Sequence, residues 1–290
     1  MNVRIGVGAF VVAASVLGLA AGTAEAGSIF LTGHDPDFHA LLGGNFLGAQ
    51  KINQSAIAFV TDSAFNPYTT ATPKFLFVES NIAVPGGHTV GVNGIIASGY
   101  TSGVDFEKHD ASTLAVELTK LGTKYNAIVV ASDFGGILTQ AELNILNANS
   151  AQIISFLNSG GGLYAMAEGN GGAHLTPGGG WYGFLPFIVS STNLDQSETG
   201  FTVTAFGASL GLTAADVNGN ASHNIFTSTG GMNIVDQDAA GHIMSLAVRS
   251  QITVAGVVPL PSSAWAGVGL LGLLGAVRFV RRGRKSAVFA

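Results

Sequence analysis

The run His34-Asp35-Pro36-Asp37-Phe38-His39 sets two imidazoles and two carboxylates within six residues. Imidazole nitrogen and carboxylate oxygen together suit zinc or another divalent ion, which makes His34, Asp35, Asp37 and His39 a candidate metal set. The same residues also read as a turn leading into a helix start, where Asp35 and Asp37 accept from free backbone N–H groups. Asp133, before Phe134-Gly135-Gly136, is either a ligand contact or the cap of its own loop. With Glu168 and His174 these groups define a candidate ligand pocket of His34, Asp35, Asp133, Glu168 and His174. No cofactor is required by it; a divalent metal is the one alternative, and would make the chain a metal-assisted hydrolase of a carbohydrate or ester. The absence of cysteine excludes disulfides, thiolate metal sites and a cysteine nucleophile. No phosphate-binding loop, dinucleotide fingerprint or Ser-His-Asp order is found.

These groups gain meaning from the elements that carry them. Ser28 to Thr32 reads as a first buried strand ending at the His34 loop. Ala56 to Thr61, Lys74 to Glu79 and Gly94 to Ser98 are further strand-like runs, and Ser112 opens a helix reaching Leu121. Tyr125 to Ser132 is continuously apolar, as in a strand covered on both faces of a parallel sheet. Thr139 with Glu142 forms a capping-box pattern, and Leu143, Leu146, Ile153, Ile154 and Leu157 continue at helical spacing to Gly160-Gly161-Gly162. Leu163 to Ala167 is the next strand. Strand, helix, strand in this order is a right-handed βαβ unit, so the expected fold is α/β, a three-layer, doubly wound, mainly parallel sheet. Four of the strands deliver their polar groups at their C-terminal ends, the edge where such sheets bind ligands. Beyond Gly180 short strands are expected at Phe184 to Val189, Phe201 to Phe206, Ile225 to Phe226 and His242 to Val248. Trp181 and Tyr182, in a Gly-rich stretch near the same edge, either stack on a sugar or fold over the core.

The stretch from Tyr125 to Asn170, together with Asn220-Ala221-Ser222-His223-Asn224-Ile225-Phe226, resembles the class I glutamine amidotransferase-like fold, nearest to its trehalose-utilisation (ThuA-like) branch. The resemblance covers about half of the central region and implies a flavodoxin-like sheet with the reactive group at a sharp elbow after the glycine triplet. Here that position is Ala167, where the resemblance leads one to expect cysteine. A methyl group attacks no carbonyl, so amidotransferase chemistry is not expected.

The ends of the chain carry addressing signals. Arg4, an apolar run from Ile5 to Ala21 and Ala24-Glu25-Ala26 before Gly27 have the layout of a signal peptide over residues 1–26, to be cut by signal peptidase; a retained anchor is the alternative. At the other end, Val258-Pro259-Leu260-Pro261 precedes an apolar span at about 264–280 and the cluster Arg278, Arg281, Arg282, Arg284 and Lys285. These residues resemble the PEP-CTERM sorting signal of Gram-negative bacteria in its VPLP-type variant. The resemblance implies an exosortase-type protease as partner, transient anchoring in the inner membrane, and delivery to the cell surface or extracellular matrix. A plain C-terminal anchor is the alternative.

Between a signal of residues 1–26 and a tail of residues 257–290 lies one expected α/β domain, residues 27–256. The chain as a whole is 47% hydrophobic and 10% charged, with a mean hydropathy of +0.43 raised by its two ends. The central region holds 6 basic residues against 16 carboxylates, a balance that repels nucleic acid phosphates. An exported surface protein with an amidotransferase-like but non-catalytic domain, associating with exopolysaccharide, is therefore the expected function.

Overall fold

Apolar runs too continuous to leave one face wet build the centre of the fold. In the computed structural model, which describes residues 27–68, 74–83, 91–133, 137–169, 174–185, 189–194 and 196–252, four such runs and one charged edge strand pair in parallel. They are β1 (Ser28–Thr32), β2 (Lys74–Val78), β3 (Phe106–His109), β4 (Tyr125–Val130) and β5 (Gly162–Ala165), in the order β3-β2-β4-β5-β1. Every residue of β4 is buried, as its unbroken apolar sequence requires.

Beyond β1 the sheet turns antiparallel. β10 (Ile243–Arg249) pairs with β1, and β8 (Asn224–Ser228) and β6 (Ser190–Asn193) follow it; β9 (Asn233–Gln237) pairs with β10 and carries the two-residue β7 (Thr202–Val203). The chain is thus mixed α/β, with one large central sheet whose first half is parallel.

Helices cover this sheet in two groups. Helix α2 (Phe46–Thr61) packs on β1, β4 and β5 and gathers α1 (Pro36–His39) and α3 (Gly91–Ala97) beside it. The second group is α4 (Leu114–Leu118), α5 (Gln140–Ala148) and α6 (Ser150–Asn158). Tyr164 of β5 donates to Asn53 of α2 at 3.0 Å, while Leu163 and Ala165, alternating with it, are equally buried. Such coverage is compatible with three layers. Two short helices, α7 (Ala205–Ser209) and α8 (Ala214–Val217), belong to the antiparallel half.

Several local expectations change. Ala56 to Thr61 is the last part of α2, not a strand, because Asn45 caps a 16-residue helix by accepting from Gly48 N at 3.0 Å, and Ile52, Ala56 and Phe59 then share its buried face. Gly94 to Ala97 lies in α3. There Gly94 presses against the backbone of Asp37, where a Cβ would collide with the carbonyl. The helix opened by Thr139 does carry its capping box, with Thr139 N donating to Glu142 Oε2 at 3.2 Å, but it breaks into α5 and α6 at Asn149. The helix expected from Ser112 is the shorter α4, opening after Thr113. Phe184 and Leu185 lie in a turn, and the region from Phe201 to Phe206 is divided between β7 and α7. Strands β3, β6 and β9 were not anticipated.

Both expected terminal signals, including Val258 to Pro261, Arg278, Arg281, Arg282 and the expected span at 264–280, lie outside the described residues. Among the described residues no helix is long and apolar enough to cross a membrane.

Candidate functional site

Parallel pairing aligns the C-terminal ends of β1, β2, β4 and β5, with Val78 opposite Val130, Val130 opposite Ala165 and Leu31 opposite Ala165. The residues that follow these strands therefore share one rim. Asp133 N donates to Ala167 O at 2.8 Å, and Ala167 N donates to His34 O at 3.1 Å, extending the alignment into the loops. Five carboxyl groups stand there with no exposed surface: Asp35 and Asp37 after β1, Glu79 after β2, Asp133 after β4 and Glu168 after β5.

The four candidate metal ligands do not converge. His34 spends both ring nitrogens, with Nε2 2.8 Å from Asp236 Oδ2 and Nδ1 2.7 Å from Ser222 Oγ. Asp37 accepts from Ser132 N at 2.8 Å, from Ser132 Oγ at 2.7 Å and from Phe38 N at 3.0 Å, so it ties α1 to the end of β4. Asp35 lies between two imidazoles, 3.2 Å from His39 Nε2 and 3.0 Å from His223 Nε2. Burial alone would raise the Asp35 carboxyl, but His223 and His39 hold it below the ordinary carboxylate range. His39 responds in kind: burial opposes its charge, yet Asp35 lifts it to about 9. The run is a turn followed by the short helix α1, knotted by ion pairs and backbone contacts.

Asp133, Glu168 and His174 form the other part of the expected pocket. His174 N donates to Asp133 Oδ1 at 2.8 Å, and His174 Nδ1 lies 2.6 Å from the Asp133 carbonyl oxygen, which makes Nδ1 the protonated nitrogen. Tyr182 N donates to Glu168 Oε2. The second oxygen of each carboxyl, Asp133 Oδ2 and Glu168 Oε1, is buried with no hydrogen-bond partner. Burial raises Asp133 to about 6 and Glu168 to about 8, the latter helped by the neighbouring Asp133 charge. At neutral pH Asp133 is then mostly a carboxylate and Glu168 mostly an acid, which gives adjacent strand ends one acceptor and one donor. The pocket expected from sequence thus does not form one cluster: His34 is tied to Ser222 and Asp236, Asp35 to His39 and His223, and Asp133 holds His174 while its charge reaches Glu168.

Tyr182 is not a sugar platform. It is 1% exposed, with a positive φ of 53°, and its hydroxyl sits 3.2 Å from Thr32 O, 3.1 Å from Met166 O and 3.2 Å from Asn224 Oδ1. Ala167 lacks both a reactive side chain and a left-handed backbone; the non-glycine residues with positive φ among those described are Ile137, Tyr182 and Gln196. Glu79, not singled out in the sequence, is raised by burial to about 8 against the pull of Lys108, and accepts from Gly91 N and Val92 N at the start of α3.

One group of three side chains among the described residues brings metal-type ligand atoms within 4.8 Å of one another: Glu107, His109 and Glu117. Its carboxylates are already engaged. Glu107 meets Lys74 at 2.9 Å and Lys124, and Glu117 meets Lys120 and Tyr125 OH, the latter at 2.7 Å. Hydrogen bonds from Lys124 and Lys74 hold Glu107 at about 2 despite burial, and Lys120 and Tyr125 overcome burial to do the same for Glu117. Three ammonium groups against two carboxylates leave a positive surplus that opposes a divalent cation.

No protein-family model, curated protein or solved structure matches the chain.

Proposed function

We propose that this chain is an exported surface protein whose α/β domain associates with extracellular polysaccharide through the rim formed by β4 and β5. One observation carries the reading: Asp133 and Glu168, at the ends of adjacent parallel strands, each keep one buried oxygen without a partner. Leaving such atoms unpaired costs about 1–3 kcal/mol each, a cost relieved when a ligand supplies the hydrogen bond. Sugar hydroxyls are both donors and acceptors and suit an ionised Asp133 beside a protonated Glu168. His174 has its Nδ1 engaged, leaving Nε2 to accept from a third hydroxyl. Ala167 offers no nucleophile at this rim, so the proposed role is binding without amidotransferase chemistry.

The finer fold assignment belongs to the same proposal. Counted from β2, the order β3-β2-β4-β5 follows the 2-1-3-4 sequence of a flavodoxin-like, doubly wound sheet, and β1 takes the fifth position. That order supports the resemblance to the amidotransferase-like fold. Export by the signal at residues 1–26 and sorting by the tail at residues 257–290, with signal peptidase and an exosortase-type protease as partners, complete the reading.

Retention of the full chain, purified in detergent, on the host's own exopolysaccharide tests the proposal. Retention at physiological ionic strength, competed by the soluble polymer, is expected; passage through the matrix without delay overturns it.

A further inference from the structure

The sheet brings together three residues from distant parts of the sequence: Ser222, His34 and Asp236. Ser222 Oγ lies 2.7 Å from His34 Nδ1, and His34 Nε2 lies 2.8 Å from Asp236 Oδ2. A carboxylate can only accept, so Nε2 carries the proton and Nδ1 presents its lone pair to the Ser222 hydroxyl. This is the relay that activates a serine: a base on the hydroxyl and a carboxylate fixing the base in the right tautomer. The Phe201 ring, edge-on to the imidazole at 5.3 Å, holds the ring plane.

The relay abuts a groove. A cavity of about 540 Å³, within the range of small-molecule sites, is bounded by Leu194, Ser197, Glu198 and Thr199 on one side and by Asp238 and His242 on the other. Glu198, which lines it, places Oε1 2.6 Å from the backbone N of Ser222. The negatively charged oxygen of a tetrahedral intermediate would occupy the corresponding position, because the N–H of an attacking serine is itself an oxyanion donor. Ser222 has no exposed surface, and the other Glu198 oxygen is buried without a partner. Glu198 thus closes the relay with a carboxylate that is only half satisfied where it lies.

We propose that Ser222, His34 and Asp236 form a serine-hydrolase relay, gated by Glu198, that cleaves small acyl esters entering from this groove. The proposal goes beyond polysaccharide binding at the rim and does not depend on it. Once Glu198 swings away, Ser222 Oγ bonds to the ester carbonyl carbon, its proton passes to His34 Nδ1, and the carbonyl electron pair moves onto oxygen beside the freed Ser222 N–H. Collapse breaks the bond to the alcohol, which leaves with the proton from His34. Water, deprotonated by His34, then attacks the acyl-serine and releases the acid, restoring the Ser222 hydroxyl.

Treatment of the full chain with a fluorophosphonate probe, followed by peptide mass mapping, tests this. A single adduct on Ser222 is expected, absent in His34→Gln and Ser222→Ala. It should form roughly tenfold faster in Glu198→Ala, the order expected for loss of one charge-assisted hydrogen bond holding the gate. Hydrolysis of p-nitrophenyl acetate should follow the same ranking. Absence of a Ser222 adduct in both the wild type and Glu198→Ala, each with an unchanged circular dichroism spectrum, overturns the proposal, as does an adduct insensitive to His34→Gln.

Discussion

Asp35 and His39 face each other across one turn of α1, with Asp35 Oδ1 3.2 Å from His39 Nε2, and both are largely withdrawn from water. The second oxygen of Asp35 meets His223 at 3.0 Å, so a single carboxylate joins the end of β1 to α1 and to the segment entering β8. Charge buried in this way makes stability depend on pH. His39 rises from 6.5 to about 9; its contribution is fully present below 6.5 and is lost as pH rises through 9. Glu79 and Glu168, favoured as neutral acids and lifted from 4.5 to about 8, act in the same sense: their contribution is full below 4.5 and lost as pH passes 8. Asp35 acts oppositely, its contribution being present above 3.8 and lost only in stronger acid. The thermal midpoint should therefore be highest near pH 5, and fall on the order of 5 °C by pH 9. A midpoint that climbs over that interval contradicts the assignment of these charges.

Tyr182→Phe removes one oxygen and little volume. That oxygen accepts from Glu168 N at 3.3 Å and sits within 3.2 Å of three acceptors, only one of which it can serve at a time. Loss of a buried hydroxyl in this setting should cost about 1–3 kcal/mol in urea unfolding, with the slope of the transition unchanged. A cost below about 0.5 kcal/mol would mean that the hydroxyl is not the clamp joining β1, β5 and the 181–185 turn.

Zinc and calcium should bind neither at Glu107, His109 and Glu117 nor in the His34 to His39 run. In the first place lysines already hold the carboxylates, and in the second each side chain has its own partner. Titration calorimetry with either ion should give no saturable heat, and chelation should leave the thermal midpoint unchanged. A stoichiometric metal, abolished by Glu117→Gln, would show that the ion displaces Lys120 and Lys124.

Much of the parallel half was legible because its signals are local. Continuous burial in β4, the Thr139-Glu142 capping box and the glycine triplet before β5 each need only a few neighbouring residues. Ala56 to Thr61 misled because a short apolar run has no period of its own; the cap at Asn45, eleven residues upstream, decides it. The half-buried charges of β3, Glu107 and Lys108, hid an edge strand. For the sites, Asp133 and Glu168 were readable as residues at strand ends, whereas Ser222 and Asp236 were not. They reach His34 only because β10 pairs antiparallel with β1 and brings β8 and β9 along, a relationship that no spacing in the sequence records.

Processing of the two ends is read by the intact mass of the protein recovered from the host's surface. The proposal expects a chain beginning at Gly27 and lacking the residues after the Val258-Pro259-Leu260-Pro261 motif. A surface form that still carries the arginine cluster contradicts exosortase-type sorting and favours a plain anchor.

The rim itself is tested most directly by Asp133→Asn in the full chain. The substitution can keep the oxygen that accepts from His174 N, while replacing the unpartnered acceptor with an N–H donor. Equilibrium binding to the host's exopolysaccharide at pH 7.5 should weaken at least about tenfold, with the thermal midpoint preserved. Binding within about twofold of the wild type would contradict ligand capture by Asp133 and Glu168.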